Sequence, residues 1–146
     1  MTATQLKEKL ISIRSNVVTL AGEAMLENKE QIVGLVINQQ QEQHVDSYTQ
    51  PLRAYSTPYY NYKRLSGKSG ETDFDDTGHM HSTMDLTIEG EQYIIDSPSQ
   101  TNQGMLKSAF LREWQGSPVM DLTEDNKGVA WNIIAPTLVA KMREAI

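Results

Sequence analysis

Met84-Asp85-Leu86-Thr87-Ile88-Glu89-Gly90-Glu91-Gln92-Tyr93-Ile94-Ile95-Asp96 is the stretch on which the fold class turns. Met84, Leu86 and Ile88 alternate with Asp85, Thr87 and Glu89, the period of two that a strand shows when one face is buried. Gly90 supplies a turn and Gln92 to Asp96 returns, so the segment reads as a β-hairpin that Ser97-Pro98-Ser99 ends. The chain on either side of it keeps a helical period.

Upstream, from Thr4 to about Gln43, Leu6, Leu10, Ile13, Val17, Leu20 and Ala24 recur at alternating intervals of four and three and form one stripe. Lys7, Lys9, Arg14 and Glu23 fall mostly off it. Thr4 is the expected N-cap, without a capping box because Lys7 stands three residues on. Beyond Asn28 the apolar set re-phases to Ile32, Val33, Leu35, Val36 and Ile37, then gives way to the polar run Asn38 to Gln43. A single rod over this span would be about 60 Å long, against a diameter of roughly 38 Å for a compact domain of this length. The chain must therefore break near Glu27-Asn28-Lys29, or project and find an apolar partner on another subunit; the break is the favoured expectation.

Downstream, Met105, Leu106, Ala109 and Phe110 share a helical face, with Thr101 or Asn102 as expected cap. Gly116 and Pro118 interrupt it. A last helix is expected from near Asp121 to Thr123, carrying Leu122, Val129, Ile133, Ile134, Leu138 and Met142, with Trp131 nearby. Pro136 inside it costs about 3 kcal/mol and predicts a kink or a restart. The expectation is an α+β fold in one domain over residues 1–146: an N-terminal helix or helix pair, a small antiparallel sheet with a hairpin, and C-terminal helices. A sheet this small has open edges that favour a partner.

Residues 44–82 contain Pro51, Pro58, Gly67, Gly70 and Gly78, together with five of the six tyrosines. Such punctuation predicts a long irregular excursion, held in order by aromatic area. Tyr55, Tyr59, Tyr60 and Tyr62, with Leu35 and Val36, are the expected interface residues.

Composition narrows the function. The 146 residues hold 13 basic and 19 acidic side chains, a formal charge of −6, which speaks against neutralising a nucleic-acid backbone. There is no cysteine, hence no disulfide framework and no thiol nucleophile. No apolar run approaches the roughly 18 residues that would cross a membrane, and the first residues lack a basic segment followed by an apolar one. The expected setting is a cytoplasm, or something assembled there.

Candidate chemistry is sparse. Asp73, Asp75, Asp76, His79 and His81 form one cluster. In an extended segment the two histidines would point the same way and, with an aspartate, make a two-histidine, one-carboxylate metal site. A solvated acidic loop leading into a strand is the expected reading. There is no Gly-x-Ser-x-Gly elbow and no dinucleotide fingerprint, and Gly67-Lys68-Ser69 lacks the upstream glycine of a phosphate loop. No catalytic residue, metal or cofactor is expected.

Three segments carry a family resemblance. Asn28-Lys29-Glu30-Gln31-Ile32-Val33 running into Gln39-Gln40-Gln41, then Val45-Asp46-Ser47, the tyrosine-rich stretch and Lys63, resembles the opening of a group of small virion proteins of tailed bacteriophages, particularly those infecting Bacteroides-like hosts. Asp76-Thr77-Gly78-His79-Met80-His81-Ser82-Thr83-Met84 resembles their Asp-Thr-Gly-x-Leu/Phe-x-x-Ser-Ile/Phe motif, with Thr83 in place of serine and methionine at two apolar positions. Trp114, Asp121 to Asn126 and Ile133 to Pro136 resemble their closing segment.

The resemblance implies a non-enzymatic neck or tail-completion component at the head–tail junction, assembled in the host cytoplasm and resident in the virion. Its partners would be copies of itself and neighbouring portal, adaptor or tail-tube proteins, with no sequence-specific nucleic acid and no membrane. Asp76, Thr77, Gly78 and Thr83 would then be structural, Gly78 supplying a positive φ. The competing expectations are a small metal-dependent hydrolase using Asp75, Asp76, His79 and His81, and a host-directed binding protein with the tyrosine loop as its contact surface.

Overall fold

The hairpin forms as its alternation dictates. In the computed structural model, which describes all residues from Met1 to Ile146, β1 (Asp85–Glu89) pairs antiparallel with β2 (Gln92–Asp96) around Gly90 at φ 61°. The register sets Leu86 opposite Ile95 and Ile88 opposite Tyr93 on the covered face, and Thr87 opposite Ile94 on the exposed one. Asp85 also stands opposite Asp96, a like-charge pair that would repel. The Lys29 ammonium, 3.1 Å from Asp85, offsets this by hydrogen bonding and holds that carboxyl below the usual range.

The helices of this α+β fold are α1 (Ala3–Glu27), α2 (Lys29–Gln41), α3 (Thr57–Leu65), α4 (His79–Ser82), α5 (Lys107–Gln115) and α6 (Glu124–Glu144). The N-terminal pair breaks at Asn28, whose side-chain amide donates to the Ala24 carbonyl at 2.8 Å and to Thr137 Oγ1 at 3.0 Å. One residue thus closes α1 and ties the elbow to α6. The cap of α1 is Thr2 rather than Thr4, with a complete capping box to Gln5. Helix α6 starts from Thr123, has Glu124 and Asp125 in its first turn and Lys141 and Arg143 in its last, and so suits the helix dipole. It does not restart at Pro136. Ile134 and Leu138, either side of the proline, are buried, and that packing carries the helix across the missing hydrogen bond.

Two other expectations are corrected. Helix α5 begins at Lys107 without a side-chain cap, while Thr101 Oγ1 instead accepts the Met105 amide and closes the preceding turn. The 44–82 excursion is not irregular throughout. Pro58 sits in the first turn of α3, where its missing N–H has no helical partner to lose, so this proline starts a helix where the sequence reading took it as a breaker.

The main core joins Ala24, Ile32, Val33 and Val36 to Met84, Leu86 and Ile95, with Leu122, Ala130, Ile134 and Leu138 closing it. A second, smaller core holds Phe74, Met80 and Val119. Met80 and Met84 therefore belong to different cores, and the four residues of α4 link them.

Part of the interior is polar. Gln39, fully buried, donates to the Asp121 carbonyl at 2.9 Å and accepts from the Thr123 amide at 3.0 Å and from Asn126 Nδ2 at 2.6 Å. Gln40, also fully buried, donates to the Val119 carbonyl at 2.6 Å. No buried side-chain polar atom lacks a partner.

Much of α1 stays uncovered. It runs antiparallel to α6, with Lys141 near Glu23 and Glu27, and Lys9 reaching the Ile146 carbonyl. Residues 1–12 are all exposed, including Leu6, Leu10 and Ile11. No helix of the fold is long and apolar enough to cross a membrane.

Candidate functional site

The 72–80 segment, α3 and α5 enclose a cleft of about 420 Å³ whose walls are aromatic. Tyr55 stacks on Trp114 with centroids 6.2 Å apart, meets Tyr59 edge-on at 4.7 Å, and Phe74 meets Trp114 edge-on at 6.4 Å. Phe110 lies one helical turn before Trp114 on α5, so both rings face the same opening.

Tyr55 is fixed from below. Its hydroxyl accepts the Phe74 amide at 3.0 Å, and Lys63, with no exposed surface, sits over its ring at 5.0 Å. The Lys63 ammonium makes a close ion pair with Asp73. Phe74 itself has φ 58°, unfavourable for a residue with a bulky side chain. The hydroxyl of Tyr55 and the packing of the ring on Trp114 hold it there. Burial pushes the Tyr55 phenol up to about 12, and burial, followed by the Asp76 charge, does the same for Tyr59. Both hydroxyls remain protonated at neutral pH.

Charge at the cleft is confined to Asp76 and Lys107. Asp76 has no cation within ion-pair distance and accepts only from the Tyr62 hydroxyl at 3.4 Å. Chemically, the site presents π-faces, a methionine and a leucine to an apolar guest, with one free carboxylate to orient a positive group beside it.

The sequence-derived residues divide. Tyr55 and Tyr59 line the cleft, and Tyr60 and Tyr62 are exposed on α3 around it. Val36 is not a surface residue: it is fully buried in the main core, and Leu35 packs half-buried against that core. The aromatic contributions of Phe74, Phe110 and Trp114 to one site were not anticipated. The i,i+4 pair Phe110 and Trp114 was the available signal, but nothing local places it opposite Tyr55.

The metal constellation does not assemble. No group of three or more His, Asp or Glu side chains is arranged to hold an ion. The reason is local: residues 79–82 are helical, so His79 and His81 lie about 200° apart around the axis instead of on one face. His79 Nδ1 reaches Ser99 Oγ at 3.0 Å. His81 is buried between Gln40 Oε1, 2.8 Å from Nε2, and the Gln41 amide nitrogen, 3.0 Å from Nδ1. An acceptor faces Nε2 and a donor faces Nδ1, which selects the neutral Nε2–H tautomer. Burial moves its pKa below the ordinary 6.5. Asp75 pairs with Lys68 at 3.7 Å.

The structural motif has the expected roles in part. Gly78 has φ 80° and starts α4, and Thr77 Oγ1 accepts the His79 amide at 3.4 Å. Thr83 Oγ1 bonds to the His79 carbonyl at 2.7 Å and to Ser97 Oγ at 2.9 Å, fastening α4 to the end of β2. Asp76 turns away from this backbone, toward Tyr62.

No protein-family model matches the chain, and no curated protein or solved structure is significantly similar to it.

Proposed function

We propose that this chain is a non-enzymatic virion structural protein of a tailed bacteriophage, a neck or tail-completion component that joins head and tail by packing against copies of itself and against neighbouring virion proteins. One observation carries the assembly part of this reading. A compact monomer of 16.4 kDa exposes about 7,500 Å², whereas this chain exposes 9284 Å², an excess of roughly 1,800 Å². A standard interface takes about 800 Å² from each partner, so the excess matches a subunit with two neighbours, as in a ring. Residues 1–12 contribute to it: Leu6 and Leu10 lie exposed on the same stripe that is buried at Ile13 and Ala24 further along α1.

The virion assignment rests on the motif resemblance around Asp76-Thr77-Gly78 and on the closing segment. A host-directed binding protein would use the same tyrosine-rich surface, but it has no need of exposed apolar side chains such as Leu6, Leu10 and Ile11 at the start of α1. Mass spectrometry and cryo-electron microscopy of purified particles test the proposal. The chain is expected in stoichiometric amount at the head–tail junction; its absence from intact particles refutes the virion role.

A further inference from the structure

Helix α6 is apolar on both sides. Ala130, Ile134 and Leu138 fill the main core, yet on the far side Val129 and Val139 are each 44% exposed and Trp131 is 56% exposed. No charged side chain occurs from Gly128 to Ala140, and Asn132, Pro136 and Ala140 are exposed within that stretch. A helix that faces water sets charged groups opposite its core stripe, whereas one that is apolar all round is a covered helix. Gly128, Val129, Asn132 and Pro136 are also weak helix formers, a poor choice where packing does not decide. Helix α1 does not cover this face, being joined to α6 through Thr137 and Lys141, which point away from it.

Two charges mark its ends. Asp125 and Arg143 are exposed and eighteen residues apart, so they point in the same direction, separated by about five turns and 27 Å along the axis. Neither has an ion-pair partner within the chain. The neighbouring cations are taken: Lys127 pairs with Glu124 at 2.8 Å, and Lys141 with Glu23 and Glu27. Glu124 and Glu144 project about 100° to either side of the line from Asp125 to Arg143. The helix dipole accounts for an acid at the start and a base at the end. It does not account for the uncharged, exposed face between them.

An acid and a base at opposite ends of one apolar face are complementary to the same face turned end for end. A two-fold axis crossing α6 at Ile134, the midpoint, sets Asp125 of each copy against Arg143 of the other, brings Val129 level with Val139, and opposes the two helix dipoles. Parallel pairing would instead set Asp125 on Asp125 and Arg143 on Arg143.

We propose that this face of α6 is a contact between two copies of the chain, paired antiparallel about a two-fold axis. Such a contact closes on itself as a dimer, so it goes beyond the assembly reading above and does not depend on it.

Sedimentation equilibrium of the full-length chain tests this. A concentration-dependent dimer is expected, and Asp125→Arg or Arg143→Asp alone should raise its dissociation constant by about tenfold or more, because two ion pairs are lost at once and like charges meet in their place. The chain carrying both substitutions has both charges set against the helix dipole, yet it restores the match across the two-fold axis and should dimerise again. The absence of native cysteine lets Val129→Cys and Val139→Cys, both at exposed positions, report the direction of pairing. Under oxidising conditions a disulfide-linked dimer is expected from the mixture of the two variants and from neither alone. A mixture that links no better than either variant by itself overturns the antiparallel contact. An unaltered chain that stays monomeric at every concentration, single charge variants that dimerise as the unaltered chain does, or a double variant as weak as the single ones overturns the proposal outright. Presence of the chain in purified particles is read separately, so the dimer can fail while the virion role stands, and the converse.

Discussion

Lys63→Met is the substitution that probes most directly how the cleft is held. It keeps an unbranched apolar stem in the space where Lys63 has no exposed surface, and removes only the charge. Asp73, whose side chain is 14% exposed, then keeps two donors, the Asp75 amide at 3.0 Å and the distant Tyr55 hydroxyl at 3.5 Å. Breaking a buried ion pair by removing one partner costs about 3 to 5 kcal/mol. Because water reaches the edge of Asp73, the lower end applies, and we expect a loss of about 3 kcal/mol. With a urea slope of roughly 2 kcal/mol/M for a domain of this size, the midpoint should fall by about 1.5 M. Equilibrium urea unfolding followed by tryptophan fluorescence reads this directly, since Trp114 stacks on the tyrosine that Lys63 supports. Removing both charges, as Lys63→Met with Asp73→Leu, should recover most of the loss, because no buried charge is then left alone. A Lys63→Met protein within about 1 kcal/mol of the wild type, or a double variant as unstable as the single one, would refute the view that this pair braces the cleft.

Four further outcomes follow from the same geometry. Thr49 is exposed and has φ 61°, so Thr49→Gly should raise stability by about 1 kcal/mol in thermal unfolding; a loss would mean that its side chain does more than strain the turn. Gln39→Leu strands the Thr123 amide and the Asn126 side chain inside the protein and should cost roughly 3 kcal/mol by urea titration, whereas a neutral result would show that water replaces the amide. His81 is neutral when folded and its pKa is lowered by burial, so the unfolded chain takes up the proton first as pH falls. The His81 contribution to stability should thus be full above pH 6.5 and decline as pH drops below it; a His81→Gln protein should lack this part of the pH dependence, and identical profiles would refute the assignment. Tyr55→Phe leaves the Phe74 amide without its acceptor at a position of unfavourable φ, and should lower stability by about 1 to 2 kcal/mol with increased hydrogen exchange at Phe74.

The hairpin, the N-terminal stripe, the break at Asn28 and the start of the last helix were all legible before any coordinates. Each depends on a period or a cap within about ten neighbouring residues, and local sterics and hydrogen bonding act over that range. Gly78 belongs with them, because a left-handed turn announces itself by the residue that tolerates it. Two of the five aromatic walls of the cleft, Tyr55 and Tyr59, belonged to the tyrosine-rich stretch singled out in the sequence.

The rest required distant partners. Gln39 and Gln40 read as part of a polar run, yet both are buried, because Asp121, Thr123 and Asn126 meet the Gln39 amide while the Val119 carbonyl and the His81 ring meet that of Gln40. Nothing around Lys63 in the sequence announces its burial, which Asp73 and the face of Tyr55 make possible. Val36 reads as available apolar area, and β1 with α6 takes it into the core. Alternation of residue types encodes which face of an element is apolar; which polar groups go inside with that face is set by compensation across the fold, and compensation has no period to be read.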